Sequence, residues 1–137
     1  GGGGGKTGTS QMESAKVDYR NNSGERVEDM KDKRWYSTMI KLPDGRVVSS
    51  GGKISIAPEI YSEESGWEML PGAESNELFG SSEKRWFYPR QWISPIGSVF
   101  GLSVEKVMMC LPAVFTLSCF PLFAIPHSVV SSPSFMK

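Results

Sequence analysis

Two stretches of this 137-residue chain repeat the same order of residues 52 positions apart. The first, RWYSTMIKLPDGRVVSSGG, begins at Arg34, and the second, RWFYPRQWISPIGSVFGLS, begins at Arg85. At this offset the following residues coincide: Tyr36 with Tyr88, Pro43 with Pro95, Gly45 with Gly97, and Val47 with Val99. An internal repeat of this length indicates similar folding units placed side by side, because one such unit cannot bury its apolar face alone.

The first stretch predicts a β-hairpin. Apolar residues lead into a Pro-Asp-Gly turn at positions 43–45 and out of it again. Proline presets the first dihedral angle of such a turn, aspartate accepts a hydrogen bond from its own backbone, and glycine tolerates a positive φ. Further strands are expected around Ile60 and Trp67, with an exit at the following Pro-Gly pair.

A repeat near 50 residues, made of short strands with a Gly-Gly pair and a later tyrosine and tryptophan, is typical of kelch-type β-propellers. Each repeat forms a four-stranded blade, and neighbouring blades cover its two faces. We therefore predict an all-β fold: a partial kelch-type β-propeller of about two four-stranded blades over residues 1–106, followed by a non-propeller apolar tail over residues 107–137.

The distribution of charge marks the boundary between these segments. The chain holds 15 basic and 15 acidic residues, and after Lys106 the only charged residue is Lys137. This balance gives no electrostatic argument for a nucleic acid or an anionic membrane as partner. Val107–Ile125 is long enough to span a bilayer, but its two prolines and poor flanking charge weigh against a membrane anchor. The other interpretation of residues 107–137 is aberrant translation, from a retained intron or a shifted reading frame.

Few residues follow a recognisable catalytic or metal-binding pattern. Gly1–Gly5 and Lys6 fall one position short of a phosphate-binding loop and lack a preceding apolar strand, so an ordinary loop is the simpler interpretation. Cys110 and Cys119 have a spacing that matches no zinc or redox motif, and the only histidine is His127. The two thiols are interpreted as buried or incidental.

Tyr36 and Tyr88 remain as candidate functional residues. Each lies in a cluster of basic and aromatic residues at the entrance to a predicted strand. The pattern alone favours aromatic side chains packed between blades, since aromatic residues usually supply buried area.

The two repeated stretches, with PEIYSEESGWEMLPGA between them, resemble the glyoxal oxidase and galactose oxidase family of copper-radical oxidases. The resemblance covers roughly Gly1 to Lys106 and is gap-free from Tyr36 through Gly52. It implies a seven-bladed propeller with one copper ion held by two tyrosines and two histidines. One of these tyrosines is cross-linked to a cysteine and stores an oxidising equivalent as a radical. Such enzymes oxidise aldehydes or primary alcohols and reduce O2 to H2O2.

By position, the radical tyrosine of the family falls on Tyr36. The resemblance therefore implies Tyr36 as a catalytic residue, a cofactor-binding residue and a copper ligand. The other ligands would come from segments outside this sequence, the aromatic residue that covers the radical in galactose oxidase falls on Ile54, and Tyr88 is interpreted as packing. We expect the chain alone to be inactive and not to bind copper.

The resemblance also implies an extracellular, secreted protein, although the sequence shows no signal peptide. Its reaction partners would be a small aldehyde or alcohol and O2, with no nucleic acid. Two blades with open edges predict self-association. The alternative function is a non-catalytic kelch-type interaction module, whose loops would bind a protein or glycan partner.

Overall fold

The structure, a computed structural model, describes residues 12–52, 55–81 and 87–102 in full and four further strands by their backbone. The strands are β1 Gly3–Gly4, β2 Thr9–Ser10, β3 Ala15–Asp18, β4 Ser23–Arg26, β5 Thr38–Lys41, β6 Val47–Ser50, β7 Glu59–Ser62, β8 Gly66–Met69, β9 Arg90–Ile93, β10 Val99–Leu102, β11 Lys106–Pro112 and β12 Leu117–Ala124. A 3-10 turn at Pro71–Ala73 and a short helix α1 at Asn76–Phe79 lie between β8 and β9. Lys6, Ile54, Arg85 and His127 lie outside the described residues.

Two four-stranded antiparallel sheets dominate the described part of the chain. In each sheet the strands pair in chain order, β5 to β8 in the first and β9 to β12 in the second. Two small hairpins, β1–β2 and β3–β4, precede them. The prediction of an all-β fold with about two four-stranded blades is confirmed.

The sequence repeat reappears as a structural repeat. The first two strands of each sheet begin 52 residues apart, at Thr38 and Arg90 and at Val47 and Val99. The turns between them close in the same way. The Leu42 amide donates to the Arg46 carbonyl at 2.7 Å, and the Ser94 amide donates to the Ser98 carbonyl at 2.7 Å. The same turn chemistry therefore builds the same hairpin twice.

The second sheet continues past Lys106. β11 pairs with β10, setting Val99 opposite Cys110, and β12 pairs with β11 along its length. Both strands belong to the segment that was predicted from the sequence to be an apolar tail. Without β11, this edge of β10 would present unpaired amides and carbonyls, and a segment with few charges can pair with them at little desolvation cost.

Within the described residues no helix is long and apolar enough to cross a membrane.

The core lies between the two sheets. Its buried members come from the first hairpin of each sheet and from the connection between the sheets: Leu42, Val48, Ala73, Leu78, Phe79 and Val99. The connection reads as polar in sequence, yet the Ser75 hydroxyl accepts a hydrogen bond from the Leu78 amide and starts one helical turn. Serine is a preferred residue at this capping position. The turn buries Leu78 and Phe79 completely, and each buried side chain contributes roughly 1.5–3 kcal/mol of hydrophobic stabilisation.

Open edges lead to a prediction about association. Within the described residues, β5, β8, β9 and β12 each pair on one side only. Such edges present unpaired backbone groups to other chains. We expect the chain to elute as oligomers in size-exclusion chromatography, with the oligomeric fraction rising with concentration. A monodisperse monomer that unfolds cooperatively would contradict this expectation.

Candidate functional site

Tyr36 lies immediately before the first sheet in a strained backbone conformation. Its φ is +62°, and that of its repeat equivalent Tyr88 is +49°. Among the described residues, Asn22 is the one other non-glycine residue with a positive φ. Asparagine tolerates this region, whereas a bulky side chain there costs about 1–3 kcal/mol and is concentrated at functional sites. The strained backbone therefore makes both Tyr36 and Tyr88 candidates for a functional role.

Four aromatic side chains surround this position and are called the aromatic cluster: Trp35, Tyr36, Phe87 and Tyr88. The Tyr36 ring stacks against Trp35 with centroids 4.4 Å apart and against Tyr88 with centroids 4.9 Å apart. Phe87 meets the Tyr36 ring edge-on at 5.3 Å. Stacked and edge-to-face pairs each add about 0.5–1.5 kcal/mol beyond their buried area. The cluster thus fixes the orientation of the Tyr36 ring.

Hydrogen bonds join the two sheets beside the aromatic cluster. The Tyr88 amide donates to the Tyr36 carbonyl at 2.8 Å. The Thr38 hydroxyl donates to the Pro89 carbonyl at 2.8 Å, so the first strands of the two sheets lie next to each other. Tyr36 is consequently located where the two sheets meet, and 41% of it is exposed.

A buried ion pair anchors the segment that precedes Tyr36. Arg34 and Glu59 are both fully buried, and the Arg34 Nη2 lies 2.9 Å from the Glu59 Oε1. Arg34 also donates from Nη1 to the Gly51 carbonyl at 3.0 Å and from Nη2 to the Ala57 carbonyl. Burial lowers the pKa of Arg34, and the charge of Glu59 opposes this shift. An arginine keeps its charge even so, because its pKa lies far above neutrality.

The Glu59 carboxylate also binds backbone amides. Oε2 accepts from the Lys31 amide at 2.6 Å and Oε1 accepts from the Asp32 amide at 3.1 Å. A carboxylate on β7 therefore holds residues 31–34 against the first sheet, two residues before Tyr36. Sequence reasoning missed this role, since Glu59 resembles any other charged residue beside a strand.

A cleft of about 730 Å³ lies away from this region, between the β3–β4 hairpin and the first sheet. Its lining includes Lys16, Lys41 and Glu63, and Tyr36 does not line it. Lys16 and Glu63 form an exposed ion pair, and the hydrogen bond from Lys16 lowers the pKa of Glu63. Exposed pairs of this kind contribute little to stability.

Of three comparisons with known proteins, the comparison with solved structures gave matches. No protein-family model matches the chain, and no curated protein matches it. Among 19 matching solved chains is a fungal alcohol oxidase of the AA5 family, solved in complex with copper. The two structures superpose with a TM-score of 0.71 at 17% sequence identity, over 85% of this chain and 26% of the oxidase. The chain therefore shares the fold of the matched part of that oxidase. It spans about a quarter of that oxidase, and the expected resemblance to copper-radical oxidases is confirmed at the level of the fold.

The described part of the chain holds one candidate copper ligand, the Tyr36 phenol. No group of three or more histidine, cysteine, aspartate or glutamate side chains gathers among the described residues. A single phenol does not define a coordination geometry, because selectivity for copper depends on ligand number and arrangement. The described residues therefore do not form a copper site by themselves, and the role of Tyr36 as a ligand stays a prediction.

Tyr88 was interpreted from the sequence as a packing residue, and its ring stacks against Tyr36 in the structure. Its side chain contacts Tyr36, yet 59% of it is exposed, more than Tyr36 itself. The sequence repeat was the signal that placed the two tyrosines in equivalent positions. Their stacking required the two sheets to be docked, which no local pattern specifies.

Proposed function

We propose that this chain forms part of a copper-radical oxidase that converts a primary alcohol or an aldehyde to its oxidised product while reducing O2 to H2O2. For an alcohol the overall reaction balances as one alcohol and one O2 giving one aldehyde and one H2O2. The proposal is supported by the structural likeness to the fungal AA5 alcohol oxidase, which was solved in complex with copper. In this proposal the protein is secreted, and the chain alone is inactive.

The observation that carries the proposal is the position of Tyr36. Its backbone has a positive φ, and its side chain is partly exposed and held by aromatic neighbours where two sheets meet. A redox-active phenol needs a fixed ring and an accessible oxygen, because geometry and surroundings tune its chemistry. The buried Arg34–Glu59 pair makes this position rigid, because it fixes the backbone two residues before Tyr36.

Replacing Tyr36 by phenylalanine provides the test. We expect the chain, expressed together with the coding sequence that flanks it and loaded with copper, to release peroxide from a primary alcohol. Tyr36→Phe should lower that rate by at least about tenfold, since it removes the phenol oxygen and leaves the ring stacking in place. Peroxide release is measured by a coupled peroxidase assay.

Tyr61→Phe is the matched control. Tyr61 lies in the first sheet, which begins just after Tyr36, and its ring packs against Trp67 outside the aromatic cluster. It should retain the rate of the unchanged protein. Equal rates for Tyr36→Phe and Tyr61→Phe would exclude Tyr36 from the reaction. A copper-loaded protein that releases no peroxide from any alcohol or aldehyde would contradict the oxidase and favour the kelch-type interaction module.

A further inference from the structure

Tyr36 and Tyr88 bring two phenol rings together from separate repeats. Their centroids are 4.9 Å apart and their planes meet at 27°. Both side chains are exposed, by 41% and 59%. The other two tyrosines have different partners: Tyr19 lies beneath the Arg20 guanidinium, and Tyr61 packs against Trp67. Among the described ring contacts, Tyr36 and Tyr88 form the one pair of phenols.

The pair is held by backbone and not by side-chain packing alone. The Tyr88 amide donates to the Tyr36 carbonyl, and the neighbouring Thr38 hydroxyl bonds the Pro89 carbonyl. Each tyrosine also has a positive φ, which directs its side chain away from the ordinary course of the strand. The two rings of one chain are therefore already in contact. Rings of two separate chains would first have to meet by diffusion.

We propose that Tyr36 and Tyr88 are a site of oxidative modification, at which a one-electron oxidant joins the two rings as dityrosine. Each phenol loses one electron to one equivalent of oxidant and one proton to water, giving two phenoxyl radicals. The radicals couple through a new carbon–carbon bond between ring positions ortho to the oxygens. The hydrogens on those carbons leave as protons while the oxygens take up protons, which restores both aromatic rings. The balance is a loss of two electrons and two protons.

Proximity favours this product over links between chains. Holding two reactants in contact raises their effective concentration far above the micromolar concentration of dilute protein. Exposure of both rings admits the oxidant, here the oxidised intermediates of a heme peroxidase supplied with hydrogen peroxide. The reaction needs no copper and is independent of the proposed oxidase function, so the two proposals succeed or fail separately.

Tryptic mapping of the full chain tests the site. The chain is oxidised at low concentration in the presence of a copper chelator, then digested. Cleavage after lysine and arginine places the four tyrosines on four different peptides, at residues 17–20, 35–41, 54–84 and 86–90. We expect the cross-link between peptides 35–41 and 86–90 to exceed every other tyrosine pairing by about tenfold, with a mass two hydrogens below the sum of the two peptides. Dityrosine fluorescence reports its formation.

Three controls separate this site from random coupling. Tyr88→Phe keeps the ring and should abolish the link between these two peptides, whereas Tyr61→Phe should leave it unchanged. In urea the preference should disappear, because unfolding separates the repeats. Equal coupling through Tyr19 or Tyr61 in the folded chain would overturn the proposal. So would oxidation of the folded chain without any link between peptides 35–41 and 86–90.

Discussion

Replacing Glu59 by glutamine is expected to lower the free energy of unfolding by about 3–5 kcal/mol. The substitution keeps the shape of the side chain but removes its charge, which leaves the buried Arg34 guanidinium without a counter-ion. It also removes an acceptor oxygen from a carboxylate that binds two backbone amides. A buried charge that loses its partner costs far more than the net worth of the pair, since the remaining charge has no access to water. Urea denaturation followed by tryptophan fluorescence measures the change.

Glu63→Gln is the matched control. Glu63 directly follows β7, the strand that carries Glu59, and pairs with Lys16, but both side chains are largely exposed. Water replaces a lost partner there, so the denaturation midpoint should stay close to that of the unchanged chain. If Glu59→Gln shifted the midpoint no further than Glu63→Gln, the buried pair would contribute nothing net to the fold. The buried pair would then not anchor the segment that precedes Tyr36.

Replacing Gly51 by alanine is expected to lower the free energy of unfolding by about 2–5 kcal/mol, in two parts. Gly51 has a φ of +69°, a region in which an L-residue pays about 1–2 kcal/mol. A β-carbon there would also lie 2.5 Å from the Pro89 Cγ, and overpacking of this kind costs about 1–3 kcal/mol. Pro89 is buried and its ring is rigid, so the strain passes to the junction of the two sheets. Urea denaturation measures the loss of stability.

Gly45→Ala separates the two contributions. Gly45 has a φ of +93°, but no atom lies within 4 Å of the position that its β-carbon would take. The control should therefore show the backbone strain without the collision. Because Tyr88 adjoins Pro89, Gly51→Ala should also reduce the Tyr36–Tyr88 cross-link, while Gly45→Ala should not. Equal destabilisation by both variants would mean that the two sheets are not in close contact at Pro89.

The repeat and its hairpins could be predicted from the sequence because their causes are local. A Pro-Asp-Gly turn sets its own dihedral angles, and the alternation of apolar residues sets the faces of the flanking strands. The same information at a 52-residue offset placed the second hairpin correctly. The resemblance to copper-radical oxidases depended on these residues too, and the AA5 fold confirms it as a likeness of fold.

The burial of Arg34 and Glu59 could not be predicted in the same way. The two residues are 25 positions apart, and charged residues are mostly exposed in folded proteins. The ELF segment of the connection likewise gave no sign that Leu78 and Phe79 would enter the core, because one helical turn is too short to show a period. The pairing of β11 with β10 is likewise a contact between strands, which the apolar composition of residues 107–125 does not specify.

By itself, the sequence determined the type of folding unit, its repetition and the equivalence of Tyr36 and Tyr88, because short-range backbone preferences and residue order are sufficient for these. Only the tertiary structure decided that the two tyrosines stack and that the Arg34–Glu59 ion pair is buried next to the segment before Tyr36. It also decided that β11 and β12 complete the second sheet. Each of these depends on contacts between segments distant in the chain. Their energies are set by desolvation and docking geometry, which no local stretch of residues encodes.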